Sequence, residues 1–379
     1  MRLEKIDLLT SQQKLPQGIF FKSKLSEEKN NFLNYLSDLR LTIDPIIKED
    51  HSGIQISLIP QSNTWPNLQD TSYFSKASEL LKIDGSDTIL HEIISAMLSS
   101  QELMTFPSYQ ELISAIHIRK NIVEAAQKTR LSFATTSAER PKDYWTYDNN
   151  TGFTLLPEVS LKTALKKATQ PGLLEQPYSF SCWRATEYIF LLALAQELEN
   201  CNTQLLRSLQ NQWQQCAIKS DAFNNAFLSH LGSLDNPLPA RFYIPGDRVW
   251  FRNPDPLSAD VTGYEGSFVF YLGNGLFSNF WKKNQPFTLT SKCIEIYHWR
   301  DALVRDSDGD FQIDEAIVEA CVEQTLADPV KTQRVLAAMM RMRDPDDVFA
   351  SGGCIDYQRA YVRNICQGTA DISFPSLPD

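Results

Sequence analysis

Residues 178–198 read YSFSCWRATEYIFLLALAQEL, and no other stretch says as much about the architecture. Apolar residues recur at helical spacing in its second half, which predicts a helix over 181–199 with Cys182 at its start. The positive end of a helix dipole and the unpaired backbone N–H groups there stabilise a thiolate, and Arg184 in the first turn adds positive potential. Because the thiolate is the nucleophilic form of cysteine, Cys182 is a candidate nucleophile. The alternative is that Cys182 is an ordinary small buried residue.

The composition is that of a globular protein with a sizeable core. Of the 379 residues, 42% are hydrophobic and 11% aromatic, which argues against disorder. The net charge of −10 argues against a nucleic-acid binder, since such proteins cluster Lys and Arg against phosphates. The N-terminus shows no signal-peptide pattern, and the longest strongly apolar run, 188–195, is far shorter than the roughly 20 residues of a membrane span. Seven cysteines without a CxxC pair are typical of reduced thiols. We therefore expect a cytoplasmic protein with neither a nucleic-acid nor a membrane partner.

Patterning divides the chain into three parts. Residues 1–70 are expected to form an N-terminal extension, because an amphipathic helix at 25–39 and a strand at 54–58 are followed by a polar, proline-containing stretch. Residues 71–300 form the main domain, and residues 301–379 are expected to be mostly helical. Helices dominate the first half of the main domain and antiparallel strands its second half, which indicates an α+β fold.

Local signals predict individual elements of the main domain and its flank. A hairpin is predicted over 144–156, with its turn at 148–152. Residues 241–251 contain two short β runs separated by Pro-Gly-Asp, and Asn274-Gly275 suits a type I′ turn between two later strands. The acidic stretch 306–315 does not fit an EF-hand loop, because its glycine is not at loop position 6 and no glutamate stands at position 12. We therefore expect no metal site and no cofactor.

Several ordered blocks carry a second, independent signal. They are IRKNIVEAA at 118–126, Phe180-Ser181 before the cysteine with Leu192-Ala193-Leu194 in the following helix, FYIPGDRVWFRNPD at 242–255, and LGNG at 272–275. Together they resemble the small bacterial protein-glutamine γ-glutamyltransferases (transglutaminases) of the spore-coat type, from about residue 75 to about residue 300. The Pro-Gly-Asp and Tyr-Leu-Gly-Asn-Gly elements are also similar to those of NlpC-type thiol peptidases, which share a papain-like core.

The resemblance implies a papain-like α+β fold with an NlpC-type core, in which a helical N-terminal half packs on a small antiparallel sheet. It also implies that Cys182 is the nucleophile of a cysteine-dependent γ-glutamyl transfer. The thiolate would attack a protein glutamine, ammonia would leave, and a lysine or other amine acceptor would resolve the thioester to an isopeptide bond. Such a reaction calls for an apolar tunnel that excludes water. The candidate walls of this tunnel are Trp183, Trp250, Phe251 and Trp281.

The acid–base positions depart from the family pattern. The alignment places Ser267 where the family has its glutamate, Ser181 where it has a second glutamate, and Phe280 near its histidine. Glu265 shares a strand face with Ser267, and a β-bulge just after Glu265 would bring the carboxylate to the family position. We therefore expect Glu265 to be the acid–base partner of the nucleophile. The secondary candidates are Ser267, Ser181, His298 and Asp247.

Two other functions stay open at the level of sequence. One is a thiol amidase or deamidase of the NlpC type, in which water resolves the thioester; the incorporation of primary amines would separate a transferase from it. The other is a non-enzymatic binding protein on a decayed transglutaminase scaffold. The substituted acid–base positions favour this second alternative, because a missing base removes much of the catalytic factor.

Overall fold

A small sheet and its accompanying helices form the N-terminal part of the molecule. The structure, a computed structural model, describes residues 17–22, 26–41, 43, 45–58, 70–73, 88–135, 137–172, 174–344 and 353–375. The strands of the N-terminal part are β1 (Ile19–Phe21), β2 (Pro45–Glu49), β3 (Ile54–Leu58) and β4 (Met104–Phe106), in the order β2-β3-β1-β4. Its helices are α1 (Ser26–Asp38), α2 (Thr88–Leu98) and α3 (Tyr109–Lys128). The predicted helix at 25–39 and strand at 54–58 are confirmed as α1 and β3.

The middle of the chain contributes short paired strands between helices. Its strands are β5 (Ser132–Phe133), β6 (Trp145–Asp148), β7 (Gly152–Leu155) and β8 (Ser179–Phe180). β5 pairs in parallel with β8, and β6 and β7 form the hairpin predicted over 144–156. The helices are α4 (Leu161–Thr169), α5 (Cys182–Cys201) and α6 (Thr203–Gln215).

A larger antiparallel sheet occupies the C-terminal half. Five of its strands come first along the chain: β9 (Leu228–Leu231), β10 (Arg248–Arg252), β11 (Gly266–Gly273), β12 (Leu276–Phe277) and β13 (Phe287–Thr288). A separate hairpin follows, formed by β14 (Leu303–Arg305) and β15 (Phe311–Ile313). The last strand, β16 (Arg359–Val362), returns to the larger sheet. The spatial order is β13-β12-β11-β10-β16-β9. The helices of this half are α7 (Asp221–Phe227), α8 (Pro256–Ala259), α9 (Leu289–His298), α10 (Glu315–Ala327) and α11 (Pro329–Met339).

Helix α5 lies at the centre of the core. Every residue from Ala185 to Ala195 is buried. A helix that is apolar all round needs neighbours on every side, and α5 packs on α3, α4, α6 and β11. This position explains why the second half of the 178–198 stretch has no polar face. The helices packed on the larger antiparallel sheet confirm the predicted α+β class, and they agree with the papain-like core that the resemblance implies.

Two element predictions are wrong. Residues 301–379 are not mostly helical: the α-helices among their described residues are α10 and α11, while β14 and β15 form a hairpin and β16 joins the larger sheet. The acidic stretch after Arg305 closes that hairpin, with the backbone N–H of Asp306 donating to the carbonyl of Asp310.

Of the two β runs expected within 241–251, only the second forms a strand, β10. In the first run, the backbone N–H groups of Tyr243 and Ile244 are bound by side chains instead of a neighbouring strand. They donate to Thr71 Oγ1 and Asp247 Oδ2, each at 2.8 Å. The type I′ turn is confirmed between β11 and β12, because Asn274 and Gly275 have φ angles of 54° and 72°.

The segments on either side of 71–300 pack against the main domain. β1 pairs with β4, and Ile19, Phe21 and Phe32 share one hydrophobic core group with residues of α2 and α3. At the other end of the chain, β16 lies between β10 and β9, and its Arg359 is fully buried. None of the helices in the described ranges combines the length and the apolar character that a membrane crossing needs.

Candidate active site

The start of α5 positions Cys182. Ser181 is the N-cap of this helix, and its Oγ accepts a hydrogen bond from the backbone N–H of Arg184 at 3.3 Å. Such a cap satisfies one of the N–H groups that the first turn of a helix leaves open. Cys182 follows as the first helical residue, and its side chain lines a cavity of about 330 Å³. The Ser181 side chain therefore stabilises the start of the helix.

Aromatic side chains and charged groups together form the walls of this cavity. β11 contributes Gly266 and Ser267, and α9 and α10 contribute much of the remaining wall. Of the four aromatic residues expected as walls, Trp281 is confirmed, whereas the other three are not among the described residues that line the cavity. The aromatic lining consists of Phe133, Tyr264, Trp281, Phe287 and Trp299. The charged lining consists of Lys282, Lys292, Glu295, Glu315, Glu319 and Glu323.

Opposing effects act on the Cys182 thiol. Burial raises the pKa of the thiol, because the charged thiolate loses hydration. The backbone N–H of Phe268, the positive charge of Lys292 and the backbone N–H of Trp183 each lower the pKa, whereas the negative charge of Glu265 raises it. The net direction is upward. Burial therefore outweighs the two N–H groups and the Lys292 charge, and the thiol needs a partner to be deprotonated near neutral pH.

Arg184 pairs with Glu187 and Ser220. Its Nη1 lies 2.6 Å from a carboxylate oxygen of Glu187, and its Nη2 donates to Ser220 Oγ at 2.8 Å. Burial raises the pKa of Glu187, and the charge of Arg184 acts in the opposite direction. The positive potential that the sequence assigns to Arg184 is therefore largely compensated by Glu187.

A second arginine lies deeper behind the helix start. Burial lowers the pKa of Arg248 to about 10, and the negative charges of Glu187 and of a Cys182 thiolate counteract this lowering. Its Nη2 donates to Asn224 Oδ1 at 2.9 Å, and its guanidinium lies 4.9 Å from the centroid of the Phe268 ring. Arg248 is thus a fixed cation close to the first turn of α5.

The two residues proposed from the β11 segment lie on different sides. Ser267 is buried and lines the cavity of Cys182. Glu265 precedes β11 and is exposed; its Oε2 accepts from the backbone N–H of Gly263 at 3.0 Å, and it lines a separate depression. The expected bulge is absent, since β10 and β11 pair in regular register from Arg248↔Phe270 to Arg252↔Gly266. Because Glu265 lies outside the strand, the alternation argument that placed it beside Ser267 does not apply to it.

The remaining secondary candidates, His298 and Asp247, have structural partners and do not line the cavity. His298 is fully buried, with Nδ1 at 2.6 Å from Asp301 Oδ2 and Nε2 at 2.7 Å from Thr325 Oγ1. Burial lowers the pKa of His298, which disfavours its charged form. Asp247 is fully buried and lies 2.7 Å from Arg119 Nη1. Both side chains hold elements together.

Sequence reasoning missed the charged groups that α9 and α10 bring to the cavity. Lys292 of α9 is buried and lies 2.6 Å from Glu295 Oε2. Glu315 of α10 accepts a hydrogen bond from the Tyr264 hydroxyl at 2.7 Å, and burial raises the pKa of its carboxyl. One signal was available in the sequence: Lys292 falls next to the apolar positions of α9, on the side that a helix of this pattern buries.

Comparison with known proteins decides the family. The family model described as protein-glutamine gamma-glutamyltransferase matches residues 68–358. The chain belongs to this family. Among curated relatives, the protein-glutamine gamma-glutamyltransferase of Halalkalibacterium halodurans is 27% identical over 189 residues, which is 49% of this chain and 61% of the relative. That of Bacillus cereus is 28% identical over 193 residues, which is 49% of this chain and 63% of the relative.

The match therefore spans less than two thirds of the length of these curated relatives. Among solved structures, a transglutaminase from Geobacillus stearothermophilus without its C-terminal extension aligns with a TM-score of 0.38 at 20% identity. That alignment covers 56% of this chain and 98% of the other. The family assignment rests on the match to the family model, and the matched residues include both α5 and the strands of the larger sheet from β9 to β13.

Proposed function

We propose that this γ-glutamyltransferase family member transfers the acyl group of a protein glutamine through Cys182. The thiolate attacks the carboxamide, ammonia leaves, and an amine such as a lysine side chain resolves the thioester to an isopeptide bond. The observation that carries the proposal is the placement of Cys182, the first residue of a buried helix, in an aromatic-walled cavity. A thiol enzyme needs its nucleophile accessible to a substrate chain and shielded from bulk water.

The cavity supplies two further requirements of the reaction. Backbone N–H groups of Phe268 and Trp183 act on the sulfur and favour its negative charge. Preorganised donors of this kind stabilise charge as it develops and need no reorganisation during the reaction. The rings of Phe133 and Trp281 meet at a centroid distance of 5.2 Å, and such aromatic packing keeps water from the thioester, which hydrolysis would otherwise consume.

The acid–base role is a separate part of the proposal. Glu265 is the candidate that the strand-face and β-bulge argument favoured, and its charge acts on the thiol, but its carboxylate lies outside the cavity. Ser267 lies inside the cavity, but a hydroxyl has no protonation change near pH 7 and cannot take up the thiol proton. The role therefore requires a titratable group that faces the sulfur.

The test is the attachment of a fluorescent primary amine to a glutamine-rich acceptor protein. We expect the full chain to attach the amine and Cys182→Ala to abolish the attachment. Cys216→Ala is the matched control, because Cys216 is half-buried at the end of α6 and does not line the cavity. Loss of activity in both variants would contradict a specific role for Cys182.

Two outcomes of the same assay would replace this proposal. Ammonia release without amine attachment would identify a thiol amidase or deamidase. The absence of both products, across a range of pH and acceptor proteins, would favour a binding protein on the transglutaminase scaffold.

We further propose a reducing, cytoplasmic setting, which is supported by the fact that all seven cysteines are unpaired.

A further inference from the structure

Helix α9 carries a buried lysine to the wall of the cavity. The side chain of Lys292 is 3% exposed, and a buried ammonium costs free energy unless it is paired. Its Nζ lies 2.6 Å from Glu295 Oε2 and 4.2 Å from the centroid of the Phe287 ring. A capping box between Thr288 and Ser291 fixes the first turn of α9, and with it the direction in which Lys292 points.

Lys292 lines the same cavity as the candidate nucleophile. Lys292, Glu295 and Cys182 all line it, and the ammonium charge of Lys292 lowers the pKa of the thiol against the effect of burial. Desolvation of a buried ammonium is costly, and here the charge is placed where it acts on the sulfur. The burial of Lys292 on the side of the reacting sulfur points to a chemical role.

Three other charged groups of the cavity have partners of their own. Glu315 accepts from the Tyr264 hydroxyl at 2.7 Å. Lys282 and Glu319 pair with each other at 2.5 Å, and both are about half exposed. Glu295 is thus the carboxylate that is joined directly to the cation acting on the thiol. The charged groups that share the cavity with this pair are Lys282, Glu315, Glu319 and Glu323.

We propose that Lys292 and Glu295 are the acid–base pair of Cys182, an inference that rests on the acyl transfer proposed above. The S–H proton of Cys182 passes to the Glu295 carboxylate, and the Lys292 ammonium holds the thiolate that forms. The thiolate makes the C–S bond to the carboxamide carbon of the glutamine, and the C=O electron pair moves to oxygen. When the C=O bond re-forms, the C–N bond breaks and the Glu295 carboxylic acid protonates the nitrogen, which departs as ammonia. A thioester and the original carboxylate remain.

The experiment compares Lys292→Met and Glu295→Gln in two measurements on the full chain. The first is the pH dependence of Cys182 alkylation by iodoacetamide, followed by mass mapping; the second is amine attachment. Loss of the cation in Lys292→Met should move the alkylation midpoint to a pH higher by roughly 1 or more. Loss of the anion in Glu295→Gln should move the midpoint to lower pH. Both variants should lose amine attachment by roughly 10²–10⁴-fold.

The opposite signs of the two midpoint shifts separate a chemical role from general damage, because misfolding would not speed alkylation in one variant and slow it in the other. Lys283→Met is the matched control: Lys283 is exposed and outside the cavity, and its substitution should change neither measurement. If Lys292→Met does not unfold cooperatively, Glu295→Gln alone decides between the outcomes.

The inference is overturned if the wild type attaches amines and Glu295→Gln retains attachment within about threefold, far from the loss expected on removing an acid–base group. An unchanged alkylation midpoint in folded Lys292→Met would also overturn it. If instead the wild type attaches no amine and releases no ammonia, the proposed function itself fails. That outcome is distinguishable from failure of this inference alone, in which the wild type still attaches amines.

Discussion

At the scale of single residues, position relative to the cavity matters more than position in the sequence. Glu265 and Ser267 are two residues apart, yet the carboxylate is bound to the N–H of Gly263 in an exposed turn and the hydroxyl lines the cavity. The Cys182 thiol, whose pKa burial raises, is acted on by groups from α9 and β11. A residue's chemistry at this site is therefore set by which wall of the cavity its side chain reaches.

A comparison of Glu265→Gln with Glu295→Gln tests this view. We expect Glu265→Gln to reduce amine attachment by no more than about threefold, because an exposed carboxylate contributes only a screened charge at the sulfur. Ser267→Ala should also be mild, since a serine hydroxyl does not accept the thiol proton. A loss of roughly 10²–10⁴-fold in Glu265→Gln would show that its carboxylate enters the cavity and is the base, as the sequence analysis expected.

At the scale of elements, the β11–β12 turn is tied to α2 through one buried carboxyl. Glu92 accepts hydrogen bonds from the Tyr271 hydroxyl at 2.9 Å and from the backbone N–H of Asn274 at 2.9 Å. Burial raises the pKa of Glu92 from 4.5 to about 7, and these hydrogen bonds offset part of the increase. Gly273 has φ +89°, and a Cβ there would lie 2.7 Å from Glu92 Oε2. The turn therefore needs glycine both for its backbone angle and for the close approach of Glu92.

The raised pKa makes the free energy of unfolding depend on pH. Between about pH 4.5 and 7 the folded protein keeps a proton on Glu92 that the unfolded chain releases. The free energy of unfolding therefore falls as pH rises through this window, by roughly 3 kcal/mol at most for this group. Glu92→Gln removes this contribution. We expect the variant to gain stability relative to the wild type between pH 5 and pH 8 in urea unfolding; a constant difference would contradict a buried, titrating Glu92.

A buried ion pair joins α3 to the turn before β10. Arg119 and Asp247 are 3% and 0% exposed, and Nη1 lies 2.7 Å from Oδ1. Asp247 also accepts from the backbone N–H of Ile244 at 2.8 Å. Gly246, with φ +87°, brings the turn so close that a Cβ would lie 2.8 Å from the Cα of Arg119. The Pro-Gly-Asp sequence thus serves packing between a helix and the sheet.

Removal of one partner of this pair should be costly. We expect Asp247→Ala to lower the free energy of unfolding by about 3–5 kcal/mol, because the Arg119 charge is left buried without its partner. The double variant Arg119→Met/Asp247→Ala should recover part of this loss, since no unpaired charge remains. Denaturant unfolding of the single and double variants measures both. Strictly additive losses would show that the two side chains act independently.

At the scale of the whole molecule, β1, α1 and β3 contribute to the core of the N-terminal part. β1 pairs with β4, and Ile19, Phe21 and Phe32 lie in one core group with Ile93 and Leu112. The family match begins at residue 68, so this packing adds strands and a helix outside the matched region. The sequence pattern changes near residue 70, but the hydrophobic core continues across this boundary.

Truncation to a chain beginning at Asp70 tests how much the molecule depends on this packing. We expect the shortened chain to unfold at a lower temperature than the full chain or to aggregate, because residues of α2 and α3 that β1 and α1 cover would be exposed to water. Thermal unfolding followed by circular dichroism, with sedimentation for the oligomeric state, gives the readout. An unchanged midpoint would show that residues 1–70 are an independent extension.

The sequence by itself determined the elements whose signals are local. The apolar spacing in 178–198 predicted the helix that starts at Cys182, and Asn274-Gly275 predicted a tight hairpin turn, because periodicity and turns depend on residues close together in the chain. The ordered blocks also indicated the family, and the family model over 68–358 confirmed it. The α+β class followed from the order of helical and strand-like patterns.

Only the tertiary structure decided which side chains share the cavity with Cys182. Lys292 and Glu295 reach it from α9, and Glu315 reaches it from α10, while Glu265 faces the other way. The periodicity of the sequence does not predict that these side chains line one cavity, since this depends on how α9 and α10 pack in the folded protein. Burial and charge pairing also arise only on packing, and burial raises the pKa of the Cys182 thiol although the sequence places it at a helix start. The physical reason is that desolvation and Coulomb interactions depend on distances in space, whereas caps, turns and periodicity depend on distances along the chain.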